Sequence, residues 1–130
     1  MRNILSQSVE FKKVYEQGRR YDSVLMTAFV LRNDQAHHRL GITVSRKTAL
    51  RAVDRNRAKR LLRETFRLHK PLIERLEGQY DWVLNGKRAL VSSSVSKSLR
   101  EFERVIAKVE RDEERSGKSE TRESSINSIS

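Results

Sequence analysis

Residues 45–67 carry the side chains with the clearest chemistry in this sequence. They include nine Lys or Arg and only two acids, Asp54 and Glu64, so this stretch holds +7 of the formal net charge of +11. Like charges at this density repel one another, and a polyanion that accepts them releases its condensed counterions. Arginine outnumbers lysine seven to two in the stretch, which suits bidentate contacts with phosphate. The pattern predicts a nucleic-acid-binding surface.

A long helix is predicted to present these charges. Thr48 is a candidate N-cap, and Pro71 disfavours helical geometry at the residue before it, so we expect the helix to end near His69. At about 100° per residue, every fourth side chain falls in one row along a helix. The cationic row consists of Arg55, Lys59, Arg63 and Arg67, with Asn56 and Arg60 beside it. The opposite, apolar side consists of Ala58, Leu61, Leu62, Thr65 and Leu68.

The single sign of the cationic row distinguishes it from an ordinary solvated helix face. A solvated face normally mixes signs, because like charges at i, i+4 repel by about 0.2 to 0.5 kcal/mol. Glu64 is expected to orient Arg60, one turn away. RNA or DNA fits the row better than a membrane surface, since the apolar side of the helix is needed by the protein's own core.

Five further elements can be predicted around this helix. A first helix begins at Ser6 or Ser8 and ends at Gln17, with Gly18 as a left-handed C′ residue. Two β-rich runs are expected to pair as antiparallel neighbours because a polar turn segment separates them. A third strand follows Gly78, and apolar residues at spacings of four and three predict a last helix. The two runs, the third strand and the apolar stripe span residues 24–31, 40–45, 80–84 and 95–109.

A second candidate surface is aromatic. Phe11 and Tyr15 lie four residues apart on the first helix, and Phe29 lies in the first strand run. Three such rings are commonly core residues. Alternatively, they form a partly exposed groove with cationic and hydroxyl edges, which is how proteins hold single-stranded nucleic acid by stacking. The edge residues are Lys12, Lys13, Thr43 and Ser45.

Length and composition predict one folded domain and a charged tail. The chain of 130 residues suffices for one hydrophobic core. Residues 110–130 hold four basic and six acidic side chains without an aromatic ring, so we expect a disordered tail. Removing the tail's net charge of −2 from +11 leaves +13 on the domain, residues 1–109.

Several classes of protein are disfavoured by what the sequence lacks. It contains no Cys, no cluster of Cys and His at zinc spacing, no glycine-rich phosphate loop and no carboxylate cluster suited to a two-metal nuclease. We therefore expect no bound metal and no catalytic residue. No run of about 18 apolar residues is present, and the N-terminus lacks the apolar core of a secretory signal. These features predict a cytoplasmic protein that does not span a membrane.

A family resemblance adds to this interpretation. The residues RAVDRNRAKRLLRE, from Arg51 to Glu64, resemble the arginine-asparagine-arginine signature of the bacterial ribonuclease P protein subunit. The segment RLGITVSRK, residues 39–47, resembles the strand that precedes this signature helix. Phe11, Tyr15 and Gly18, with Val14, resemble the N-terminal helix pattern of that family. The resemblance covers roughly residues 5–109 in the same order.

The resemblance implies an α+β fold. It is a single-domain αβββαβα sandwich with a four-stranded sheet, of the type found in the second domain of ribosomal protein S5. The signature helix would make a left-handed parallel βαβ crossover, although general principles favour the right-handed connection in about 98% of cases.

The resemblance also implies a function. The protein would be an accessory subunit of ribonuclease P, which binds the catalytic RNA and the 5′ leader of precursor tRNA. The RNA subunit would use Mg²⁺ to hydrolyse the phosphodiester, and the protein itself would bind no cofactor. We expect a monomer in a 1:1 ribonucleoprotein, with no DNA or membrane partner.

The resemblance assigns residues to two surfaces. The surface for the catalytic RNA would comprise Arg46, Lys47, Arg51, Arg55, Asn56, Arg57, Lys59, Arg60, Arg63 and Arg67. The cleft for the leader would comprise Phe11, Lys12, Tyr15, Phe29, Thr43 and Ser45. Trp82, Asn85 and Gly86 depart from the family's more uniformly apolar strand.

Two other functions share the basic helix. A structural ribosomal or general RNA-binding protein would bind RNA without any dependence on a leader. A DNA-binding zipper would need heptads directly after the basic region, but Pro71 and Gly78 interrupt that course.

Overall fold

A computed structural model describes residues 8–129 of the chain, with side chains for residues 10–116. It has four strands, four α-helices and a short 3₁₀ helix at Arg88–Leu90. The strands are β1 (Arg19–Asp22), β2 (Met26–Arg32), β3 (Arg39–Thr43) and β4 (Tyr80–Gly86). The α-helices are α1 (Ser8–Gln17), α2 (Ala52–Leu68), α3 (Lys70–Ile73) and α4 (Val95–Ile129). This is the predicted α+β order αβββαβα, with α3 and the 3₁₀ helix as additions.

The strands form one sheet in the order β1-β2-β4-β3. β4 pairs antiparallel with β2 and parallel with β3, so the prediction that the runs containing β2 and β3 are antiparallel neighbours is wrong. The reason lies in β4, which is buried at nearly every position and therefore suits the centre of a sheet. β3 is only half-buried at most positions and takes an edge.

α2 and α3 connect β3 to its parallel neighbour β4. A parallel pair requires such a crossover, because a tight hairpin can join only antiparallel strands. The left-handed sense of this crossover stays a prediction.

The sheet separates two layers of helices. On one side α2 and α4 cover the main core, in which Trp82, Phe102 and Leu62 are fully buried. On the other side α1 packs on β2 and β4 through Val14, which contacts Val83. Side chains alternate across a strand, so the α1 side presents a second surface distinct from the main core.

Gly18 ends α1 in a way that differs from the prediction. Among the described residues no glycine has a positive φ, so Gly18 is not a left-handed C′ residue. Its N–H donates to the Val14 carbonyl at 2.8 Å. A Cβ at this position would lie 2.5 Å from that oxygen and 3.0 Å from the Val30 carbonyl oxygen. Glycine is therefore required by the close approach of α1 to β2. The candidate cap Ser6 lies outside the described residues.

α2 begins three residues later than its predicted cap implies. Thr48 lies in a turn, where its N–H donates to Ser45 Oγ at 3.2 Å, and Arg51 occupies the N-cap position. The prediction of Thr48 as the N-cap is therefore wrong. The predicted end near His69 is confirmed, and Pro71 occupies the first turn of α3, where a missing N–H costs least.

α4 continues past the predicted boundary at residue 109 and ends at Ile129. Tyr21 donates a hydrogen bond to Asp112 at 2.5 Å, and Gly78 N–H donates to Glu113 at 2.8 Å. These acids therefore belong to the folded domain. A helix that is already nucleated and anchored extends more easily than one that forms alone, so α4 can continue into a segment of tail-like composition.

His38 is buried against β4, and its titration is expected to make the stability of the fold depend on pH. Its Nδ1 accepts hydrogen bonds from Tyr80 N–H and Trp82 Nε1–H, each at 3.1 Å. Burial lowers the pKa of His38 below its ordinary value, against the opposing charges of Glu113 and Glu74. The unfolded chain takes up a proton near pH 6.5, whereas the folded chain resists protonation. The contribution of His38 to the free energy of unfolding is therefore fully present above about pH 6.5 and is lost as the pH falls below that value.

We expect His38→Asn to remove much of this pH dependence. The Asn side-chain oxygen can accept hydrogen bonds near the position of Nδ1 but does not titrate. Urea unfolding at about pH 7.5 and about pH 5.5 should show a larger loss of unfolding free energy for the wild type than for the variant. Equal losses in both proteins would contradict this role for His38.

Candidate nucleic-acid interface

α2 owes its position to an apolar stripe that faces the core. Ala58, Leu62 and Thr65 are buried on this stripe. Thr65 Oγ1 donates to the Leu61 carbonyl at 2.7 Å and lies 2.7 Å from Ser98 Oγ of α4, so it is satisfied in the core. Leu68 was predicted on the same side but is 43% exposed, because the helix ends there and turns away into α3.

Both acids of the helix region are bound by flanking arginines. The Arg51 side chain donates a hydrogen bond to Asp54 at 2.9 Å. The Arg67 side chain donates hydrogen bonds to both carboxylate oxygens of Glu64. These hydrogen bonds hold the pKa values of Asp54 and Glu64 below their usual range. The predicted pairing of Glu64 with Arg60 is therefore wrong, since Arg67 takes that carboxylate.

Four other cations of α2 form no ion pair with a carboxylate among residues 10–116, although Asp54 also attracts Arg57. Three of the four are exposed, and Lys59 is half-buried beside the sheet edge. We call this set the cationic face: Arg57, Lys59, Arg60 and Arg63. Asn56 is exposed on the same helix, and Arg46 and Lys47 are exposed in the turn before it. This arrangement leaves the face with uncompensated positive charge.

Arg55 differs from the cationic face because its partners lie within the protein. It is half-buried, and its Nη1 donates to the Ala49 carbonyl at 3.0 Å and to the Leu50 carbonyl at 2.9 Å. Through these two hydrogen bonds, one terminal nitrogen of Arg55 stabilises the loop between β3 and α2. The predicted contact of Arg55 with RNA stays a prediction, and any such contact would use the other nitrogens of the guanidinium.

We expect Arg55→Ala to destabilise the fold by about 1 kcal/mol, the net value of a typical hydrogen bond lost at a partly exposed site. Thermal unfolding measures this loss. The expected loss is one of stability, because the contacts removed are internal. Unchanged thermal stability of Arg55→Ala would contradict this structural role.

The α1 side of the sheet holds an aromatic cleft, which we define by Tyr15, Phe29, Thr43 and Asn85. The Tyr15 and Phe29 rings meet edge to face with centroids 4.9 Å apart. Tyr15 is 37% exposed, and its hydroxyl donates to Asn85 Oδ1 at 3.0 Å. Thr43 Oγ1 donates to the same oxygen at 2.5 Å. The hydrogen bonds fix the ring of Tyr15 while one side of it remains open.

The cleft has a cationic edge on β1. The Arg20 guanidinium lies 5.9 Å from the centre of the Phe29 ring, and its Nε donates to Asp22 at 3.1 Å. At this distance the cation is attracted by the ring face. Sequence reasoning did not identify Arg20 as part of the surface, because β1 itself was not predicted from periodicity.

The predicted cleft residues fall into three groups. Tyr15, Phe29 and Thr43 are brought together. Phe11 is half-buried against the Val14 and Val83 cluster, which Phe29 also contacts, but it lines the separate groove beside Leu40 and Ile42. The other two lie at the edges: Lys12 is exposed and 4.0 Å from Glu16, and Ser45 is exposed beyond the end of β3.

Asn85 was missed as a site residue. Its polar side chain in a largely apolar strand was visible as a departure from the family pattern, and that departure is the signal that identifies it.

No group of three or more His, Asp or Glu side chains that could hold a metal ion occurs in the part of the chain that the structure describes. No described helix combines the length and apolar character needed to cross a membrane.

Comparison with known proteins gives a consistent result. The family model described as Ribonuclease P matches residues 1–110. The ribonuclease P protein component of Methylococcus capsulatus is 38% identical over 100 residues, which is 77% of this chain and 75% of that protein. The corresponding protein of Natranaerobius thermophilus is 35% identical over 104 residues, 80% of this chain and 87% of that protein.

Solved structures agree in fold. The RNase P protein of Staphylococcus aureus superposes with a TM-score of 0.72 at 24% identity, covering 84% of this chain and 96% of that one. The RNase P protein of Thermotoga maritima gives 0.70 at 23% identity, covering 85% and 97%. At these identities the likeness establishes the fold, while the family model and the closer sequences establish kinship.

Proposed function

Since this chain belongs to the bacterial ribonuclease P protein family, we propose that it binds the catalytic RNA through the cationic face of α2 and the 5′ leader of precursor tRNA through the aromatic cleft. Proteins of this family are the protein component of an endonuclease that processes tRNA. In the proposed complex one copy of the chain joins one RNA subunit in the cytoplasm. The RNA subunit then hydrolyses the phosphodiester with Mg²⁺ and releases the leader.

The observation that carries this proposal is the uncompensated charge of the cationic face. Arg57, Arg60 and Arg63 project from a helix that Leu62 and Thr65 anchor in the core. The like charges of this face repel one another, which destabilises the folded protein. Binding of phosphates offsets that repulsion and releases counterions. A general solvated surface would not need this arrangement.

The chain contributes binding and orientation rather than proton transfer. The carboxylates of Asp54 and Glu64 are hydrogen-bonded to arginines, which favours their ionised form and leaves them unsuited to act as general acids. We propose no catalytic residue and no cofactor in this chain. Its cations instead offset phosphate repulsion between the catalytic RNA and the precursor, and so reduce the Mg²⁺ that the reaction needs.

The aromatic cleft would hold the leader by stacking. Every base has a π face, so an open Tyr15 ring next to Phe29 can accept an unpaired nucleotide of any sequence. Arg20 lies above Phe29 while its guanidinium is paired with Asp22, so it forms an edge of the cleft beside such nucleotides. This surface lies on the α1 side of the sheet, so it can act while α2 is bound to the catalytic RNA.

Reconstitution with a bacterial ribonuclease P RNA at low Mg²⁺ tests the proposed function. We expect cleavage of precursor tRNA to depend on the protein under these conditions and to become independent of it at high Mg²⁺. Absence of stimulation at every Mg²⁺ concentration would contradict the proposal. A general RNA-binding protein would bind mature and precursor tRNA alike.

A further inference from the structure

β3 is an edge strand with an open side. It lies at one end of the sheet, where its neighbour is β4. Beyond that ladder, no backbone hydrogen bond involves residues 39–43 in the described structure. The outer N–H and C=O groups of β3 can therefore pair with another extended chain, which is the common mode of peptide binding by strand addition.

The two edges of the sheet differ in how well charge protects them from such pairing. At the β1 edge three of the four residues are charged, and charged side chains are one means by which natural sheets keep an edge from pairing. β3 has the sequence RLGIT. Its one charged side chain, Arg39, is held by Asp81 of β4 through a hydrogen bond of 2.7 Å. β3 therefore lacks the protection that β1 has.

A groove with a volume of about 740 Å³ follows this open edge, and we call it the β3 groove. Phe11 of α1 lines it on one side of the sheet, and α2 and α3 line it on the other. Between them β3 contributes Leu40, Gly41 and Ile42. A strand added to β3 would therefore continue the sheet between its two layers of helices.

The wall formed by α2 and α3 is cationic. It carries Lys59, Arg63, Arg67 and Lys70. Glu64 is hydrogen-bonded to Arg67, and Glu74 lies 3.9 Å from Lys70, but Lys59 and Arg63 form no ion pair among the described side chains. Carboxylates are attracted to this wall. A second copy of the chain, with its formal net charge of +11, is repelled from it.

The alternation of side chains along a strand specifies the occupant further. Successive side chains of a strand point to opposite faces of its sheet. On a strand added to β3, one set would face the cationic wall and the other would face Phe11 in the α1 layer. Acidic residues suit the first set and apolar residues suit the second.

We propose that the β3 groove binds an extended segment of a partner protein in which acidic and apolar residues alternate, and that this segment pairs with the backbone of β3 as a fifth strand. Lys59 and Arg63 are shared with the cationic face, so the site is that of the chain without its RNA. The inference goes beyond the proposed function and does not depend on it.

Two N-methylated peptides test the backbone pairing. The parent probe is a fluorescent seven-residue peptide of alternating Glu and Val, and its binding to the full chain is measured by fluorescence anisotropy. One derivative is methylated on the Glu nitrogens and the other on the Val nitrogens, so both keep the side chains and the charge of the parent. Alternate residues of a strand direct their N–H groups to the same edge, so only one derivative loses its hydrogen bonds to β3.

We expect the affinity to fall at least about 10-fold for one derivative and to change less than about 2-fold for the other. Equal affinities of the two derivatives would show that charge alone attracts the peptide, and would overturn the inference. Failure of the parent peptide to bind would overturn it as well.

Reversal of one charge in the groove tests the site on the protein. Lys70→Glu changes an exposed residue of the cationic wall that is not part of the cationic face, and Lys108→Glu makes the same change on α4. We expect Lys70→Glu to weaken binding of the parent peptide about 3-fold to 10-fold and Lys108→Glu to have little effect. If both variants lose affinity equally, the peptide does not occupy the β3 groove.

Amide hydrogen exchange identifies the edge that is paired. The parent peptide should slow the exchange of alternate residues in β3 at least about 10-fold and leave β1 unchanged. Slower exchange in β1 alone would place the peptide at the other edge and refute the proposal. Slower exchange in β3 at high concentration of the chain without peptide would identify a second copy as the occupant, which would also refute it.

This inference and the proposed function fail separately. A chain that stimulates cleavage by the catalytic RNA at low Mg²⁺ but binds no peptide retains the proposed function and loses only the β3 partner. A chain that binds the peptide but gives no stimulation has the opposite outcome.

Discussion

Replacing both Arg57 and Arg60 with alanine is expected to weaken binding to the catalytic RNA by about 100-fold, or about 1.4 kcal/mol for each lost contact. Both side chains are exposed and form no ion pair with a carboxylate in the described structure, so each can bind phosphate. Each contact also releases counterions when it forms. The slope of log affinity against log salt should therefore become shallower by about 1.4 to 1.8 for the double variant.

The matched control removes the same amount of positive charge from a different helix. Lys108→Ala combined with Arg111→Ala removes two exposed cations from α4, and we expect only a small effect on affinity and slope. If both double variants lose affinity equally, the binding energy comes from net charge rather than from α2. That result would contradict the assignment of the cationic face.

Replacing Tyr15 with alanine is expected to weaken binding of precursor tRNA while leaving mature tRNA nearly unaffected. Loss of stacking on one base costs about 1 to 3 kcal/mol, which corresponds to about 5-fold to 150-fold in affinity. The effect should be confined to substrates with a leader, because Tyr15 lies in the aromatic cleft and not on α2. Equilibrium binding of both RNAs to the reconstituted holoenzyme measures it.

Tyr15→Phe separates stacking from hydrogen bonding. This variant keeps the ring against Phe29 but loses the hydroxyl that donates to Asn85. We expect it to retain most of the leader-dependent affinity. If alanine weakens precursor and mature tRNA to the same extent, the cleft does not bind the leader.

The part of the site on α2 could largely be predicted from sequence. Amphipathic spacing placed Leu62 and Thr65 inward and Arg60 and Arg63 outward, because a helix fixes the angle between successive side chains. Arg57 was assigned to the surface only through the family resemblance. The ion-pair partners of the charged side chains on α2 could not be predicted with the same success. Glu64 can reach arginines on either side, and only the side-chain geometry shows that it binds Arg67.

The aromatic cleft was harder to predict because it joins distant segments of the chain. Tyr15 and Phe29 were identified from their type and spacing, but their neighbour Asn85 lies 70 residues from Tyr15. Its position depends on β4 inserting between β2 and β3. Local patterns indicated two strand runs close in sequence and suggested that they pair, whereas burial of β4 on both faces determines the order.

The end of the folded domain shows a similar limit. Composition beyond residue 109 is that of a solvated tail, yet Asp112 and Glu113 bind Tyr21, Tyr80 and the backbone at Gly78. A charged residue contributes to a fold when a buried partner is in reach. That partner belongs to another element, so composition alone does not reveal it.

Chemical modification of Lys59 in the free protein and in the reconstituted holoenzyme tests the central claim most directly. The claim is that the cationic face is left without protein partners because catalytic RNA covers it. Lys59 should react with an amine-selective reagent in the free protein and become strongly protected in the complex, while Lys108 on α4 should react equally in both. Unchanged reactivity of Lys59 in a holoenzyme that cleaves precursor tRNA would contradict the account.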